Sequence, residues 1–146
     1  MKETNSAKLE FLSHSANEGF ARAAVAVFVS QLDPTLDELG DIKTAVSEAV
    51  TNCIVHAYPD TLGIIVIRAR IFADSSVEIH VRDWGLGIPD VEKALEPMFT
   101  TGGDDRSGMG FTIMESFMDT VRVRSKANRG TTVTMRRRLS VRASHK

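Results

Sequence analysis

Three short stretches carry residue types that could do chemistry. In Glu48-Ala-Val-Thr-Asn52 a carboxylate and a carboxamide stand four residues apart, which in a helix sets them one turn apart on one face. Asn52 offers a neutral hard oxygen, suited to a Mg²⁺ that keeps waters and is shared with phosphates. Glu48 beside it could orient or deprotonate a hydroxyl or a water. Asp83-x-Gly85-x-Gly87 ends a strand-like run, where the carboxylate can accept from an exocyclic amine such as adenine's while the glycines admit a flat base edge. Gly108-Met-Gly110 precedes an apolar helical pattern, so unpaired backbone N–H groups and the positive helix end are offered together to an anion. Arg106, two residues upstream, adds a cation able to fork onto phosphate oxygens.

Each stretch alone is weak. A Gly-x-Gly more often marks a turn, Asp83 alone reads as a turn former, and a lone Glu or Asn on a helix is usually solvated. The spacing Gly103-x-x-x-x-Gly108 imitates a P-loop, but Met109-Gly110 stands where Lys-Ser or Lys-Thr should follow, which rejects a Walker site. No βαβ unit follows Asp83, so the first loop is not a dinucleotide fingerprint. Together the stretches supply a base pocket, an anion nest, a metal oxygen and a candidate base. The bland reading does not account for that set.

The elements that must position these residues follow from periodicity. Ile42, Val46, Ala49, Val50, Cys53, Ile54 and Ala57 recur at three- and four-residue steps, predicting a central helix from Asp41 to about Tyr58 with Glu48 and Asn52 on its polar side, flanked by Asp41, Thr44 and Thr51. Residues 1–7 are polar and expected loose, and Leu9 and Phe11 hint at a short first strand. Ser15-Ala-Asn-Glu18 reads as a capping box for a helix with a stripe of Phe20, Ala24, Val27, Phe28 and Leu32, stopped by Asp33-Pro34. Residues 35–40 read as a connection. Ile64 to Phe72 and Val77 to Arg82 alternate as strands around a turn at Ala73-Asp-Ser-Ser76. A short helix at 90–96 and a loop from Pro97 to Ser107 come next. Phe111, Met114, Phe117 and Met118 stripe a further helix, and two strands close the chain around Asn128-Arg129-Gly130. This order predicts α+β: a two-layer sandwich with helices on one face of a mixed, mostly antiparallel sheet.

Composition fits one domain over 1–146, with 140–146 as a C-terminal tail: 42% hydrophobic, 25% charged, net charge −1. That balance favours neither nucleic acid nor a membrane, and Arg136-Arg-Arg138 reads as a solvated strand end. The first residues lack a signal-peptide core, so a cytoplasmic protein is expected. One cysteine, Cys53, excludes an internal disulfide and reads as a small apolar filler.

At the quoted residues the chain resembles the GHKL ATP-binding superfamily, whose Bergerat fold serves gyrase-type ATPases, Hsp90, histidine-kinase catalytic domains and anti-sigma serine kinases. Glu48-Ala-Val-Thr-Asn52 matches its N-box, Asp83-x-Gly85-x-Gly87 and Gly108-Met-Gly110 its two glycine boxes, Phe99-Thr100-Thr101 its lid and Gly130-Thr131 its closing strands. The stretches Phe20-Ala-Arg22, Gln31-Leu-Asp-Pro-Thr35, His56-Ala-Tyr58 and Arg106-Ser107-Gly-Met109-Gly110 resemble the anti-sigma kinases of sporulation in particular. The resemblance runs from about Leu9 to Leu139. It implies ATP (released as ADP) with Mg²⁺, a sigma factor of the sigma F type held inactive by a homodimer, and phosphorylation of a serine on an anti-anti-sigma factor. It implies Asn52 as metal ligand, Glu48 as catalytic carboxylate with Arg106 near the γ-phosphate, and Asp83 on adenine with Thr131 close by. Thr51, Gly85, Gly87, Thr100, Thr101, Ser107, Gly108, Met109 and Gly110 would line the nucleotide, and Arg22 would meet the protein partners. Gly102-Gly103-Asp104-Asp105 departs from the longer, lysine-bearing lid of the family. Alternatives are a stress-response anti-sigma kinase of the same family, or a partner-binding module that ATP gates without phosphotransfer. A histidine kinase half would need a phosphoacceptor on an upstream helix, which His14 does not supply.

Overall fold

The computed structural model describes residues 2–88 and 110–140. The expected helix at 90–96, the loop after Pro97, and with them Thr100, Thr101, Arg106, Ser107, Gly108 and Met109, lie outside the described residues.

Five strands, β1 (Glu3–Leu12), β2 (Ile64–Phe72), β3 (Ser76–Asp83), β4 (Thr120–Lys126) and β5 (Gly130–Arg138), form one sheet in the order β1-β2-β3-β5-β4. Every neighbouring pair is antiparallel, so the described sheet has none of the parallel pairing that a mixed sheet implied. Side chains alternate across it. Ile65, Ile67, Val77, Ile79, Val81 and Met135 point to the buried face, while Arg68, Arg82, Arg122 and Arg124 stand on the other. Among the described residues the α-helices are α1 (Asn17–Val29), α2 (Leu36–Asn52) and α3 (Gly110–Phe117), with α2 packed against both of the others.

Helix α2 begins earlier than its apolar period suggested. Thr35 Oγ1 accepts from the Glu38 N–H at 3.0 Å and Glu38 Oε1 accepts from the Thr35 N–H at 2.8 Å, a complete capping box. Residues 36–40 are therefore its opening turns and not a connection. Glu38 Oε2 also accepts from the Ser140 N–H and hydroxyl, which ties the end of β5 to the start of α2. Ile42, Val46 and Val50 are fully buried, each worth about 1.5–3 kcal/mol of apolar burial. At its other end the α-helix stops at Asn52 and widens into a π-helical turn, Cys53–Ala57, closed by the Tyr58 N–H on the Cys53 carbonyl.

Four further expectations are corrected. Residues 3–7 are not loose but belong to a ten-residue β1, because they pair with β2 from Phe72 to Ala69. The capping box at Ser15 does not form: Ala16 is the N-cap, and Glu18 turns instead to Ser47 and Arg22. The stripe of α1 is only partly in phase: Phe28 and Leu32 pack against the core, but Ala21, Val25, Ala26 and Val29 are the buried residues while Phe20 and Val27 are 49% and 74% exposed. Arg137 is not a solvated strand end: it donates to Asp41 at 2.6 Å and to the Phe117 carbonyl at 2.8 Å.

Candidate functional site

Helix α2 presents Glu48 and Asn52 on one side, half-buried, where the start of α3 crosses it. Gly110 makes that approach possible. A Cβ there would stand 3.3 Å from both atoms of the Asn52 carboxamide and 3.5 Å from Glu48 Oε1. Gly110, the described residue of the Gly108-Met-Gly110 stretch, thus lies beside Glu48 and Asn52. No described residue hydrogen-bonds the Asn52 carboxamide, and Thr51 lies half-exposed beside it. Burial first, and the nearby Glu18 carboxylate second, hold the Glu48 carboxyl above the usual range.

Glu18 was expected from sequence in a capping box and not at the site. It accepts from the Ser47 hydroxyl at 2.6 Å and pairs with Arg22 at 3.3 Å, so Arg22 reaches the edge of the site through Glu18. Arg22 keeps 43% of its side chain exposed.

The first glycine box forms a rigid second end. Asp83 closes β3 opposite Thr131 of β5, and its Oδ1 accepts from the Gly85 N–H at 3.0 Å and the Thr131 N–H at 3.2 Å. Its Oδ2 accepts from the Cys53 thiol at 3.4 Å. Burial raises the Asp83 carboxyl above the ordinary range, and the donors from Gly85, Cys53 and Thr131 oppose that rise. Asp83 as a whole is only 4% exposed.

Backbone contacts lock this end. The Leu86 N–H donates to the Ala57 carbonyl at 3.1 Å, and Gly85 lies so close that a Cβ would run into that same carbonyl. Gly130, at φ 107°, takes a conformation open mainly to glycine, and any side chain there would strike the Asp83 carbonyl. Gly87 lies against the Lys126 carbonyl. Three further residues, none expected at the site from sequence, hold the loop. The Tyr58 hydroxyl accepts from the Trp84 N–H at 2.7 Å and donates to the Ile64 carbonyl at 2.8 Å, and Ser125 Oγ accepts from the Ile88 N–H at 2.6 Å. Cys53 completes the group, and its place on the apolar stripe gave no sign of the Asp83 contact.

Cys53 follows Asn52 directly, so one step of backbone separates the Glu48–Asn52–Gly110 corner from the residue that contacts Asp83. Among the described residues no three His, Cys, Asp or Glu side chains converge for a metal. The donor set fits a hard cation held by one carboxamide oxygen and by a ligand's own phosphates.

Residues 13–137 match the family described as histidine kinase-like ATPase domain. The chain is 57% identical over 136 residues to the anti-sigma F factor of Caldanaerobacter subterraneus subsp. tengcongensis, covering 92% of this chain and 94% of that one. It is 54% identical over 137 residues to that of Geobacillus kaustophilus, covering 93% and 94%. The chain belongs to the anti-sigma F factor family. Among solved structures, the RsbU and RsbW domains of Rv1364c from Mycobacterium tuberculosis superpose at a TM-score of 0.69 and 23% identity, over 96% of this chain and 33% of that one. The histidine kinase domain from Erythrobacter litoralis EL346 superposes at 0.55 and 20%, over 84% and 61%. Both likenesses concern the fold, which is the ATP-binding fold expected from the boxes. No helix among the described residues is long and apolar enough to cross a membrane.

Proposed function

We propose that this chain is a cytoplasmic, ATP- and Mg²⁺-dependent serine protein kinase that also holds a sigma factor of the sigma F type inactive, with an anti-anti-sigma factor as its phosphorylation substrate and a homodimer as its working form. The observation that carries the nucleotide reading is the meeting of Gly110 with Asn52 and Glu48, one residue from the Cys53–Asp83 contact. The anti-sigma role and the sporulation partner are supported by relatives 54–57% identical over nearly the full chain.

In this reading Asp83 accepts the adenine amine, Thr131 backs the base, and Gly85 and Gly87 let it approach. Asn52 is the protein oxygen that would hold Mg²⁺, whose chemistry when bound is to neutralise charge on the triphosphate. Arg106 and the run Ser107 to Gly110 attend the phosphates, with Thr100 and Thr101 in the lid. Glu48 takes the proton of the substrate serine as the serine oxygen bonds to the γ-phosphorus and the β–γ bridging bond breaks, giving ADP and phosphoserine. A carboxyl held above its usual range is the better base near neutral pH. Arg22, exposed at the rim and tied to Glu18, is the contact for protein partners.

The test is incubation with γ-labelled ATP, Mg²⁺ and a candidate anti-anti-sigma protein, with a panel of sigma factors in parallel pull-downs. Label on a partner serine and capture of a sigma F-type factor are expected. ATP binding with no label on any partner would leave the gate in place of the kinase.

A further inference from the structure

Cys53 is a residue that the reaction above does not use. It lies in the π-helical turn, 4% exposed, and its thiol donates to Asp83 Oδ2 across a separation of 30 residues. We propose that Cys53 is a positioning residue for purine selection: its S–H occupies one acceptor site of Asp83 and keeps the carboxylate an acceptor, so that a 6-amino purine is taken and a 6-oxo purine refused. This rests on the nucleotide reading of the site.

The argument is a count of hydrogen-bonding positions. An ionised carboxylate offers about four acceptor sites and no donor. Oδ1 is engaged twice, by the Gly85 and Thr131 N–H groups, and Oδ2 once, by Cys53. What remains is one acceptor position on Oδ2, the complement of an amine N–H. A 6-oxo purine would bring its own lone pairs against it, a mismatch of the unpaired-polar kind that sites built to bond an N–H reject strongly. The mismatch disappears if the carboxyl takes up a proton and donates it to the oxo group. Burial pushes Asp83 towards that proton, and the three donors oppose it. Cys53 is suited to its share, because its Sγ stands 3.4 Å from Oδ2 with the S–H donating. With the thiol removed, Oδ2 gains a second open position in a buried place, where a proton becomes easier to hold.

Cys53→Ala removes the donor at small cost in volume, and Cys53→Ser puts a donor back. Binding of ATP and ITP is measured for the three proteins, with thermal unfolding as a control. The wild type is expected to prefer ATP by about a hundredfold. Cys53→Ala should narrow that ratio about tenfold, and Cys53→Ser should restore it to within about threefold. A ratio unchanged in Cys53→Ala, or narrowed equally in both variants, overturns the inference and leaves Cys53 as packing. A wild type that binds ATP without preferring it to ITP overturns this inference alone. A wild type that binds neither overturns the site reading as well.

Discussion

The two ends of the site are built by opposite means. At the Asp83 end backbone groups are fixed in place: two N–H groups hold Oδ1, Gly85 and Gly130 press against carbonyls, the Ala57–Leu86 bond staples strand exit to helix, and the Tyr58 and Ser125 hydroxyls bind the N–H groups of Trp84 and Ile88. At the Glu48–Asn52 end the groups are half-exposed side chains, and the nearest obstacle to a Cβ on Gly110 is the movable end of Asn52. A base edge has one shape and rewards a pocket set in advance. Phosphoryl transfer needs groups that can follow a moving phosphorus and its metal ion. On the proposed function, selectivity falls to the backbone-held end and chemistry to the end built of side chains.

The two ends should therefore break differently. Gly130→Ala should be the most damaging, because its positive φ and its contact with the Asp83 carbonyl leave no relaxation; unfolding measurements should read a loss on the order of 4 kcal/mol. Glu48→Ala should leave melting and ATP binding near wild type while phosphotransfer falls by roughly 10²–10⁴-fold, read with γ-labelled ATP. Undiminished transfer would remove Glu48 from the mechanism. Asp83→Asn should weaken ATP binding by about a hundredfold in calorimetry, as it turns an acceptor towards the base into a partial donor. Gly110→Ala, the counterpart of Gly130→Ala, should fold, since Ala suits a helix and the obstacle is a side chain. It should weaken Mg²⁺-dependent ATP binding by about tenfold by displacing Asn52. A Gly110→Ala as unstable as Gly130→Ala would abolish the contrast.

The smallest expected effect is on pH dependence. Glu48 must be ionised to act, and its carboxyl is held high by burial and then by Glu18, so the rate should fall on acidification earlier than an ordinary glutamate would dictate. Glu18→Gln removes the second cause and not the first. The acid limb of the rate profile should move to lower pH, part of the way only.

Much of this was legible from local pattern. β2 and β3 alternate cleanly around a turn, and their bounds agree with the strands expected at 64–72 and 77–82. Glu48 and Asn52 could be placed on one face by helical geometry alone. Errors arose where two segments satisfied the same rule. Ser15-x-x-Glu18 and Thr35-x-x-Glu38 are both capping-box patterns, and only the second closes because Glu18 is drawn off by Ser47, 29 residues away. In α1 nearly every residue from Phe20 to Val29 is apolar, so the period does not define a phase. Polar residues at the start of β1 read as loose, yet an edge strand pairs through its backbone whatever its side chains. The contacts of Tyr58, Cys53 and Ser125 were not legible because these partners lie 26, 30 and 37 residues away, distances at which spacing carries no information.

The wide turn at Cys53–Ala57 has one more implication. It spends five residues where an ordinary coil would spend four, and that surplus sets how far round Ala57 arrives before it receives Leu86. Forcing the same five residues into regular α-helix, with none removed, would carry the Ala57 carbonyl further round the axis and away from Leu86. The Asp83 end would come apart while Glu48 and Asn52 stood unmoved upstream, in a protein still carrying every motif intact.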